Sequence, residues 1–333
     1  MRKAMLYASR SGRSLQCLLC SHYCKLKAGQ TGKCGVRRNV DGVLYSFNAD
    51  RVCALHGDPI EKKPLYHFLP GSVSLSVAAM GCNFKCSFCQ NYSLSQVSGE
   101  EGIQGEAISP DEIVRQARSG GADSISYTYT EPTIFFELMY ETARLARQEG
   151  IRNVMVTNGY YSPRALELIA PYLDAANIDL KAFTDEFYVR YCEARLQPVL
   201  QAIERTRKAG IWIELTTLLI PGLNDRDPER IIDFIREVDP DIPWHVSRFY
   251  PQYRELSRPP TDGTLIIESL RKAREKGLKF LYAGNMTDDR WENTYCPRCD
   301  SLLIERTGYH TRVRGLEKGT CRNCHAPIAG VWE

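Results

Sequence analysis

The chain has 333 residues, of which 43% are hydrophobic and 25% are charged, a composition that excludes disordered and collagen-like proteins. Its formal net charge is only +3, but residues 1–40 carry nine Lys or Arg and no Asp or Glu. Because no aromatic residues are interleaved with these charges, we interpret them as a solvated surface near an anionic metal site, and we expect no nucleic acid as a partner.

The first residues and the cysteine count indicate a compartment. Met1 is followed by Arg2, Lys3 and mixed residues, and no run approaches the ~18 apolar residues of a membrane span. We therefore expect a cytoplasmic protein without a membrane partner. That compartment keeps thiols reduced, and the 13 cysteines are odd in number, so a disulfide framework is excluded. We expect most of the cysteines to bind metal.

The first group of cysteines, here called the N-terminal set, consists of Cys17, Cys20, Cys24 and Cys34. Four thiolates around zinc, or around an oxidised four-iron cluster, leave a net charge of about −2 in either case, so charge does not separate the two. The irregular spacing is unlike that of a symmetric zinc ribbon, and neighbouring glycines allow the tight turns that return Cys34. We favour structural zinc and keep an auxiliary iron–sulfur cluster as the alternative.

A second group, here called the middle set, follows a predicted buried strand over residues 73–79. It consists of Cys82, Cys86 and Cys89 in the pattern CxxxCxxC, with no further cysteine before Cys192. Three ligands suit a cubane with one iron left open, whereas zinc more often has a second CxxC pair. An open iron can bind a substrate or cofactor. The isolated Cys53 and Cys192 are given no role, because single cysteines are most often small buried hydrophobes.

Strands and helices alternate after the middle set. Further strands are predicted at 124–129, 152–157, 176–180, 211–219 and 244–249, with a last one at 278–283. Helices are predicted from Pro110 to about Gly120 and at about 133–148, 163–172, 197–209, 228–237 and 264–276. Six βα units predict an α/β fold in which a parallel sheet curls into a partial (β/α)6 barrel, with its active site at the carboxyl ends of the strands.

Polar residues lie in or directly after the ends of several of these predicted strands. They are Thr130 and Glu131, Thr157 and Asn158, Asp179 and Lys181, and the segment Pro221–Asp225. Each is weak alone, because such residues are common in turns and caps, but their joint position favours a site. Upstream, Glu61, Lys62, Lys63 and His67 are expected either to form a lid over the barrel mouth or to be part of an ordinary connecting loop.

The last group, the C-terminal set, comprises Cys296, Cys299, Cys321 and Cys324. Two CxxC pairs at this separation predict a zinc ribbon or, less often, a rubredoxin-like iron site. Strand-like runs at 302–304 and 309–313 flank Gly308, as a hairpin requires. The module has too few apolar residues for its own core, so a structural zinc ion would stabilise it. We divide the chain into a cysteine-rich module with a lid-like segment (1–71), a barrel (72–290) and a zinc-ribbon-like module (291–333).

The middle set carries a specific resemblance. CxxxCxxC after the first strand of a βα repeat, with Phe88 before the third cysteine, resembles the radical S-adenosylmethionine (SAM) superfamily. TEPT, VTNG, NIDLK and LIPGLND are similar to segments of the pyruvate formate-lyase activating enzymes. Over its whole length the chain resembles the radical SAM enzymes of the AmmeMemoRadiSam system, on the segments DPIEKKPLYHFLPGS (58–72) and PWHVSRFYP (243–251) and on the terminal CPRC and CRNC.

The resemblance implies that the middle set holds a [4Fe-4S] cluster whose open iron binds SAM. Reductive cleavage of SAM then gives methionine and a 5′-deoxyadenosyl radical that abstracts hydrogen from a substrate. It also implies the surroundings of SAM: Phe88 beside the adenine, Thr130 and Glu131 near the methionyl amine, Thr157 and Asn158 near the ribose and carboxylate, and Asp179 and Lys181 beneath them. Lys181 suits the cation that faces the methionyl carboxylate.

The same resemblance implies partners: an electron donor such as a flavodoxin or ferredoxin, and Memo-like and AMMECR-like proteins. Activating enzymes carry a His-bearing segment after strand six, which residues 249–253 replace here. The substrate-facing candidates are His245, Arg248, Tyr250 and Tyr253, although His245 could equally be a core histidine. We keep three hypotheses: a radical enzyme with an unidentified substrate, a glycyl-radical activase, and a non-catalytic metal-bearing adaptor that binds RNA or protein.

Overall fold

Seven short strands form the N-terminal region of the computed structural model, which describes residues 1–97, 99–286 and 289–333. They are β1 (Arg2–Lys3), β2 (Tyr7–Ser9), β3 (Leu15–Cys17), β4 (Lys25–Leu26), β5 (Arg37–Val40), β6 (Val43–Ser46) and β7 (Arg51–Val52). Strands β1, β6 and β5 form one antiparallel sheet, and β2, β3 and β4 form another. Leu15, Val36 and Leu44 are fully buried in the same core as the barrel, so this region packs directly on it.

The central sheet has eight strands. They are β8 (Ala54–Pro59), β9 (Val73–Ala78), β11 (Ser124–Tyr127), β12 (Arg152–Thr157), β13 (Ala175–Asp179), β14 (Trp212–Leu219), β15 (Trp244–Arg248) and β16 (Leu281–Gly284), while β10 (Glu106–Ala107) pairs outside it with β7. From β9 to β16 every neighbouring pair is parallel and adjacent in chain order. The predicted partial barrel is therefore confirmed.

One strand of this sheet escaped prediction. β8 pairs with β9 in antiparallel register, from Ala54 opposite Ala78 to Pro59 opposite Val73, and forms an edge of the sheet. Its sequence, ALHGDP, contains glycine and proline, which are depleted in strands. Proline at the end of an edge strand is tolerated because its missing N–H breaks no central ladder.

Helices alternate with the strands of the barrel. They are α1 (Tyr92–Ser95), α2 (Pro110–Ser119), α3 (Phe136–Gln148), α4 (Pro163–Ile169), α5 (Asp185–Phe187), α6 (Leu196–Lys208), α7 (Pro228–Val238) and α8 (Gly263–Glu275), with 3-10 turns at Ile60–Lys62, Pro132–Phe135, Ala170–Tyr172 and Asp289–Trp291 and a π-helical turn at Tyr188–Cys192. The Ser109 side chain accepts a hydrogen bond from Glu112 N at 3.2 Å, which satisfies one free N–H at the start of α2. None of the helices in the described residues is long and apolar enough to cross a membrane.

Residues 60–72 lie at the opposite end of the barrel from the place expected of a lid. The carboxylate of Glu214, near the start of β14, accepts hydrogen bonds from the N–H groups of Tyr66 (3.0 Å) and His67 (2.8 Å). Ile60, Leu65 and Phe68 are buried and form a cluster with Val154 and Ala175, near the amino ends of β12 and β13. Burial of these apolar side chains closes the amino-terminal end of the barrel, which favours the connecting-loop alternative for His67 and its neighbours. Lys62 and Lys63 instead reach Tyr129, with their Nζ atoms 5.9 Å and 4.9 Å from the centre of its ring.

The C-terminal module packs against the same end. Its strands are β17 (Thr294–Tyr295), β18 (Leu302–Thr307), β19 (His310–Val313), β20 (Leu316–Glu317) and β21 (Thr320–Cys321), and the predicted hairpin is the antiparallel pair β18–β19. Leu303 and Ile304 share a cluster with Tyr66, Phe280 and Tyr282 of the barrel region. The module thus completes its small core with side chains of the barrel.

Candidate active site

The middle set lies on the loop that leaves β9 at its carboxyl end. The loop begins at Gly81, whose φ is +108°, a conformation that side chains rarely adopt. A Cβ atom at this position would lie 2.6 Å from Val36 Cγ1 of the N-terminal region. Gly81 therefore lets the loop and the N-terminal region approach each other closely, immediately before Cys82.

The π-helical turn fixes the backbone of this loop. Lys85 N donates to Cys192 O and Ser87 N donates to Tyr191 O, each at 3.0 Å. The Ser87 side chain also donates to Glu255 Oε1 at 2.6 Å, beyond the end of β15. These bonds tie the cysteine loop to two other segments at the carboxyl end of the barrel.

The three thiols of the middle set lie in a low-dielectric environment. A hydrogen bond with the Cys192 thiol, together with burial, holds the pKa of Cys86 well above its usual value, and burial does the same for the pKa of Cys82. Cys192, which sequence reasoning left without a role, is thus a neighbour of the site. Buried thiols become good ligands when a metal replaces their protons, and the Nδ2 group of Asn83 is buried beside them with no hydrogen-bond partner among the described residues.

Lys181 lies next to this loop. Its Nζ is 2.7 Å from Asp179 Oδ2, and the Lys181 side chain is only 16% exposed. Burial opposes the charge, but the Asp179 carboxylate and the neighbouring Cys86 and Cys192 outweigh it and hold the pKa of Lys181 well above its usual value. A buried, charged lysine beside the cysteine loop is not an ordinary surface residue.

Glu131 joins the ends of β11 and β12. Its Oε1 accepts hydrogen bonds from Thr133 N at 3.1 Å, the Thr133 hydroxyl at 2.5 Å and the Thr157 hydroxyl at 2.8 Å. Its Oε2 accepts from Asn158 N at 2.8 Å. Burial nevertheless raises the pKa of this carboxyl above its usual value. The structure therefore shows Glu131 as the link between two site loops, and its contact with the methionyl amine stays a prediction.

Asn158 connects these loops to the middle set. Its Nδ2 group donates to Asn83 Oδ1 at 2.7 Å and lies 3.8 Å from Cys82 Sγ. The carbonyl of Asn83 is in turn 2.8 Å from His22 Nε2. Asn158 and Thr157 thus lie within one hydrogen-bonded network around Cys82, as expected from their positions after the same strand.

Tyr129 is an unexpected member of the site. It adopts a φ of +64°, which is strained for a bulky residue, and its carbonyl accepts a hydrogen bond from Asn91 Nδ2 at 2.8 Å. Its hydroxyl donates to Asp58, which also accepts from Lys63 Nζ at 2.7 Å. The next residue, Thr130, bonds the Ala79 carbonyl through its hydroxyl at 2.6 Å. The buried carboxylate of Asp58, on β8, therefore helps to hold the strained backbone of Tyr129 in place.

The ring of Phe88 is buried, and its centroid lies 5.8 Å from that of Phe187 in α5. The structure thus shows it packed beside the segment that leads into the π-helical turn. Its place beside the adenine stays a prediction.

The structure places the four substrate-facing candidates in different parts of the barrel. His245 is buried, its Nε2 is 2.7 Å from Glu214 Oε2, and its ring stacks on that of Tyr282 at the amino-terminal end of the barrel. It is a core histidine and not a substrate contact. Tyr253 instead stacks on Tyr92 with 4.6 Å between ring centroids, next to the cysteine loop.

The other two candidates lie at the end of β15 and just beyond it. Arg248 donates from Nε to the Thr261 carbonyl at 2.7 Å, and its guanidinium lies 5.1 Å from the centre of the Tyr250 ring. The Tyr250 side chain is exposed.

The two outer cysteine sets differ in geometry. In the C-terminal set, Cys296 Sγ is 3.6 Å from Cys324 Sγ and Cys299 Sγ is 3.7 Å from Cys321 Sγ. All four sulfurs lie within 4.8 Å of one another, and neither His310 nor His325 belongs to the group. The N-terminal set lines a cavity beside the middle set, and burial raises the pKa of Cys17 to about 11.

Comparisons with known proteins match the chain to a known superfamily. A family model of the radical SAM superfamily matches residues 77–235. An uncharacterized protein of Methanocaldococcus jannaschii is 43% identical over 337 residues, covering 98% of this chain and 99% of that one. A second protein of that organism, whose name is that of a glycyl-radical enzyme activating enzyme, is 27% identical over 63% of this chain and 79% of its own length.

Solved structures share the fold. SuiB from Streptococcus suis aligns with a TM-score of 0.52 and 16% identity, covering 68% of this chain, which spans about half (52%) of that one. A radical SAM methyltransferase from Sphaerobacter thermophilus aligns with a TM-score of 0.50 and 19% identity, covering 65% of this chain and 67% of that one. These structures show the shared fold alone. The family match over the cysteine loop and most of the barrel carries the membership: the chain belongs to the radical SAM superfamily.

Proposed function

We propose that the chain is a radical SAM enzyme that cleaves SAM reductively and abstracts hydrogen from a substrate still to be identified. The observation that carries the proposal is the meeting of three buried or half-buried thiols, a largely buried charged lysine and the Glu131 network at the carboxyl ends of the parallel strands. Parallel barrels concentrate catalytic groups at this end.

Cys82, Cys86 and Cys89 would hold the [4Fe-4S] cluster that the superfamily implies. Their donor chemistry fits it: three soft sulfur ligands lie on one loop, and the Nδ2 group of Asn83, which has no partner among the described residues, is available to a neighbouring sulfur. When bound, the reduced cluster supplies the electron that splits SAM into methionine and a 5′-deoxyadenosyl radical. The hydrogen bonds from Lys85 and Ser87 to the π-helical turn keep the three thiols in position.

The side chains around the loop would orient SAM. Lys181 offers a cation to the methionyl carboxylate, and Asp179 holds that cation in place at 2.7 Å. The Thr130 hydroxyl donates to Ala79 O, and the Glu131 carboxylate accepts hydrogen bonds from Thr157 and Asn158. These bonds hold the loops after β11 and β12 in place before SAM binds. Rigid surroundings lower the entropic cost of binding. Phe88 would contribute an apolar contact to the adenine.

Replacement of Lys181 by alanine should weaken SAM binding by roughly ten- to a hundred-fold, because a charge-assisted contact contributes about 1.5–3 kcal/mol. Equilibrium binding of SAM to the anaerobically reconstituted protein measures the change. Lys181→Arg is the matched control, since it keeps the charge and should recover part of the affinity. Isotherms of Lys181→Ala and the parent that overlay would contradict the role of Lys181.

Product analysis tests the proposed reaction. We expect the dithionite-reduced protein to convert SAM into 5′-deoxyadenosine and methionine in equal amounts. Candidate metabolites and peptides labelled with deuterium are then added, and the substrate is the one whose label appears in 5′-deoxyadenosine. A reconstituted, reduced protein that binds SAM and yields neither product would favour the non-catalytic adaptor.

The C-terminal set fits a structural zinc ion. With Zn–S bonds of about 2.3 Å, sulfurs at neighbouring corners of a tetrahedron lie about 3.8 Å apart. The measured separations of 3.6 Å and 3.7 Å are close to this value. We propose that this zinc ion stabilises residues 291–333, which pack at the amino-terminal end of the barrel. We further propose that these residues form one module of the chain, beside the barrel (72–290) and the N-terminal module (1–71).

We further propose that the chain works in the AmmeMemoRadiSam system, with Memo-like and AMMECR-like proteins as partners and a flavodoxin or ferredoxin as electron donor. Support comes from the resemblance of the segment DPIEKKPLYHFLPGS (58–72) to the enzymes of that system. Its Asp58 anchors Tyr129 at the site, while its Phe68 helps to close the other end of the barrel. The segment therefore has a defined place in the structure.

A glycyl-radical activase is the second candidate, favoured by the relative named as an activating enzyme over 63% of this chain. An activase transfers the radical to the backbone of a protein. Electron paramagnetic resonance of a co-encoded protein after turnover would show a glycyl radical if this candidate is right. Label from a small molecule in 5′-deoxyadenosine would exclude it.

A further inference from the structure

We propose that the N-terminal set holds a [4Fe-4S] cluster of its own, ligated by Cys17, Cys20, Cys24 and Cys34. This inference goes beyond SAM cleavage, because it concerns a second metal centre. The sequence left two alternatives open for this set, structural zinc and an auxiliary iron–sulfur cluster. The present inference favours the cluster.

The four thiols face one cavity. Cys17, Cys20 and Cys34 are buried and Cys24 is half-buried, and all four line the same enclosed space. Apolar side chains, among them Leu26 and Ile134, complete the wall. Four soft ligands around one sheltered space are the ligand set of a structural metal centre.

The separation of the thiols identifies the kind of centre. Among the described residues, the C-terminal set is the one group of His, Cys, Asp and Glu in which at least three ligand atoms lie within 4.8 Å of one another. The N-terminal set therefore does not bring three of its sulfurs within that distance. A single zinc ion needs sulfurs about 3.8 Å apart, whereas a cubane distributes its thiolates over several irons. The sulfurs of the middle set, which superfamily membership assigns to a cubane, likewise do not all lie within 4.8 Å of one another.

Backbone contacts hold the segments that carry these cysteines in place. Cys17 N donates to Cys24 O at 3.0 Å. The backbone of Cys20 forms an isolated antiparallel β-bridge with that of Tyr161, which follows β12. A turn in which Gly35 N donates to Gly32 O at 2.9 Å brings Cys34 back. The cysteines thus lie on backbone segments that are anchored to one another and to the residues after β12.

The cavity wall offers groups that suit an anionic cluster. Four thiolates with an oxidised four-iron core carry a charge of about −2. The wall includes Lys33 and the guanidinium of Arg37, which is 1% exposed and pairs through Nη2 with Glu137, so that its Nε is the group left for the cluster. Arg37 Nε is buried with no hydrogen-bond partner among the described residues. A sulfur atom in the cavity would accept that bond.

The N-terminal set also contacts the catalytic loop. The Cys34 carbonyl would lie 3.3 Å from a Cβ atom on Gly81, and His22 Nε2 is 2.8 Å from the Asn83 carbonyl. Gly81 and Asn83 flank Cys82. A cluster in the cavity would therefore be a close neighbour of the cluster in the active site.

Metal analysis of the full-length chain with Cys82, Cys86 and Cys89 replaced by serine isolates the second centre. After anaerobic reconstitution with iron and sulfide, we expect about four irons and four sulfides per chain. The reduced protein should give an electron paramagnetic resonance signal that does not change with SAM, because cysteines hold every iron. Further replacement of Cys20 and Cys34 by serine should remove the iron and leave the zinc of the C-terminal set.

Zinc in place of this iron, or about two irons with two sulfides, would overturn the proposal. If the triple variant does not fold, the parent protein answers the same question. It should contain about eight irons, with SAM perturbing the signal of one cluster only. About four irons whose whole signal responds to SAM would refute the second cluster. Iron in the triple variant with no SAM cleavage by the parent would instead refute the proposed function alone.

Discussion

Replacement of Cys86 by alanine should abolish formation of 5′-deoxyadenosine from SAM. Cys86 is the second of the three cysteines of the middle set and lies beside Lys181 and Cys192, so its loss removes one of the three proposed iron ligands. The site cluster then lacks a complete ligand set. Liquid chromatography of quenched anaerobic reactions measures the product.

Cys53→Ala is the matched control. Cys53 is a half-buried thiol that belongs to none of the three sets, and its backbone N–H donates to Ala78 O at 2.8 Å, a bond that alanine preserves. It should keep the parent rate. Unfolding curves of both variants show whether the fold survives. A Cys86→Ala protein that folds and still makes 5′-deoxyadenosine would rule out the assigned ligand set.

The largest stability effect is expected from the ion pair between Arg37 and Glu137. Arg37 on β5 and Glu137 at the start of α3 are each 1% exposed, and the guanidinium contacts both carboxylate oxygens, at 2.7 Å and 2.5 Å. Removal of one partner leaves a buried charge without compensation, which costs about 3–5 kcal/mol. Arg37→Met should lower the free energy of unfolding by that amount, measured by urea denaturation.

A second ion pair supplies the control. Arg2 and Glu141 join the same two regions one helical turn further along α3, but their side chains are 38% and 33% exposed. Because water screens exposed pairs, Arg2→Met should cost about 1 kcal/mol or less. The double variant Arg37→Met and Glu137→Leu should recover much of the loss, since it removes both buried charges. Equal costs for Arg37→Met and Arg2→Met would contradict the role of burial.

The barrel could be predicted because its signals are local. The strands over 73–78 and 152–157 are runs of mostly buried residues, and Ser109 before Pro110 marks a helix start by its side-chain hydrogen bond. Such patterns depend on neighbours along the chain. β8 was missed because its pairing with β9 is a tertiary contact, and its own residues, including Gly57 and Pro59, do not favour a strand.

The candidate site was predictable in its cysteines and in the polar residues after the strands. Tyr129 and Asp58 were not, because 71 residues separate their hydrogen-bonded groups and neither belongs to a motif with its own chemistry. Cys192 was overlooked for the same reason: its proximity to Cys86 depends on the π-helical turn. His245 had a polar side chain in a promising strand, but the strand places it at the wrong end of the barrel, beside Glu214.

The sequence by itself determined the superfamily, the parallel barrel and the three groups of cysteines, because spacing and periodicity are properties of the chain. Only the tertiary structure decided that residues 60–72 close the amino-terminal end of the barrel, that Lys181 is buried against the cysteine loop, and that two sets of thiols are more widely spaced than the third. Distances between thiols depend on how distant segments pack. The spacing of cysteines along the chain does not determine these distances.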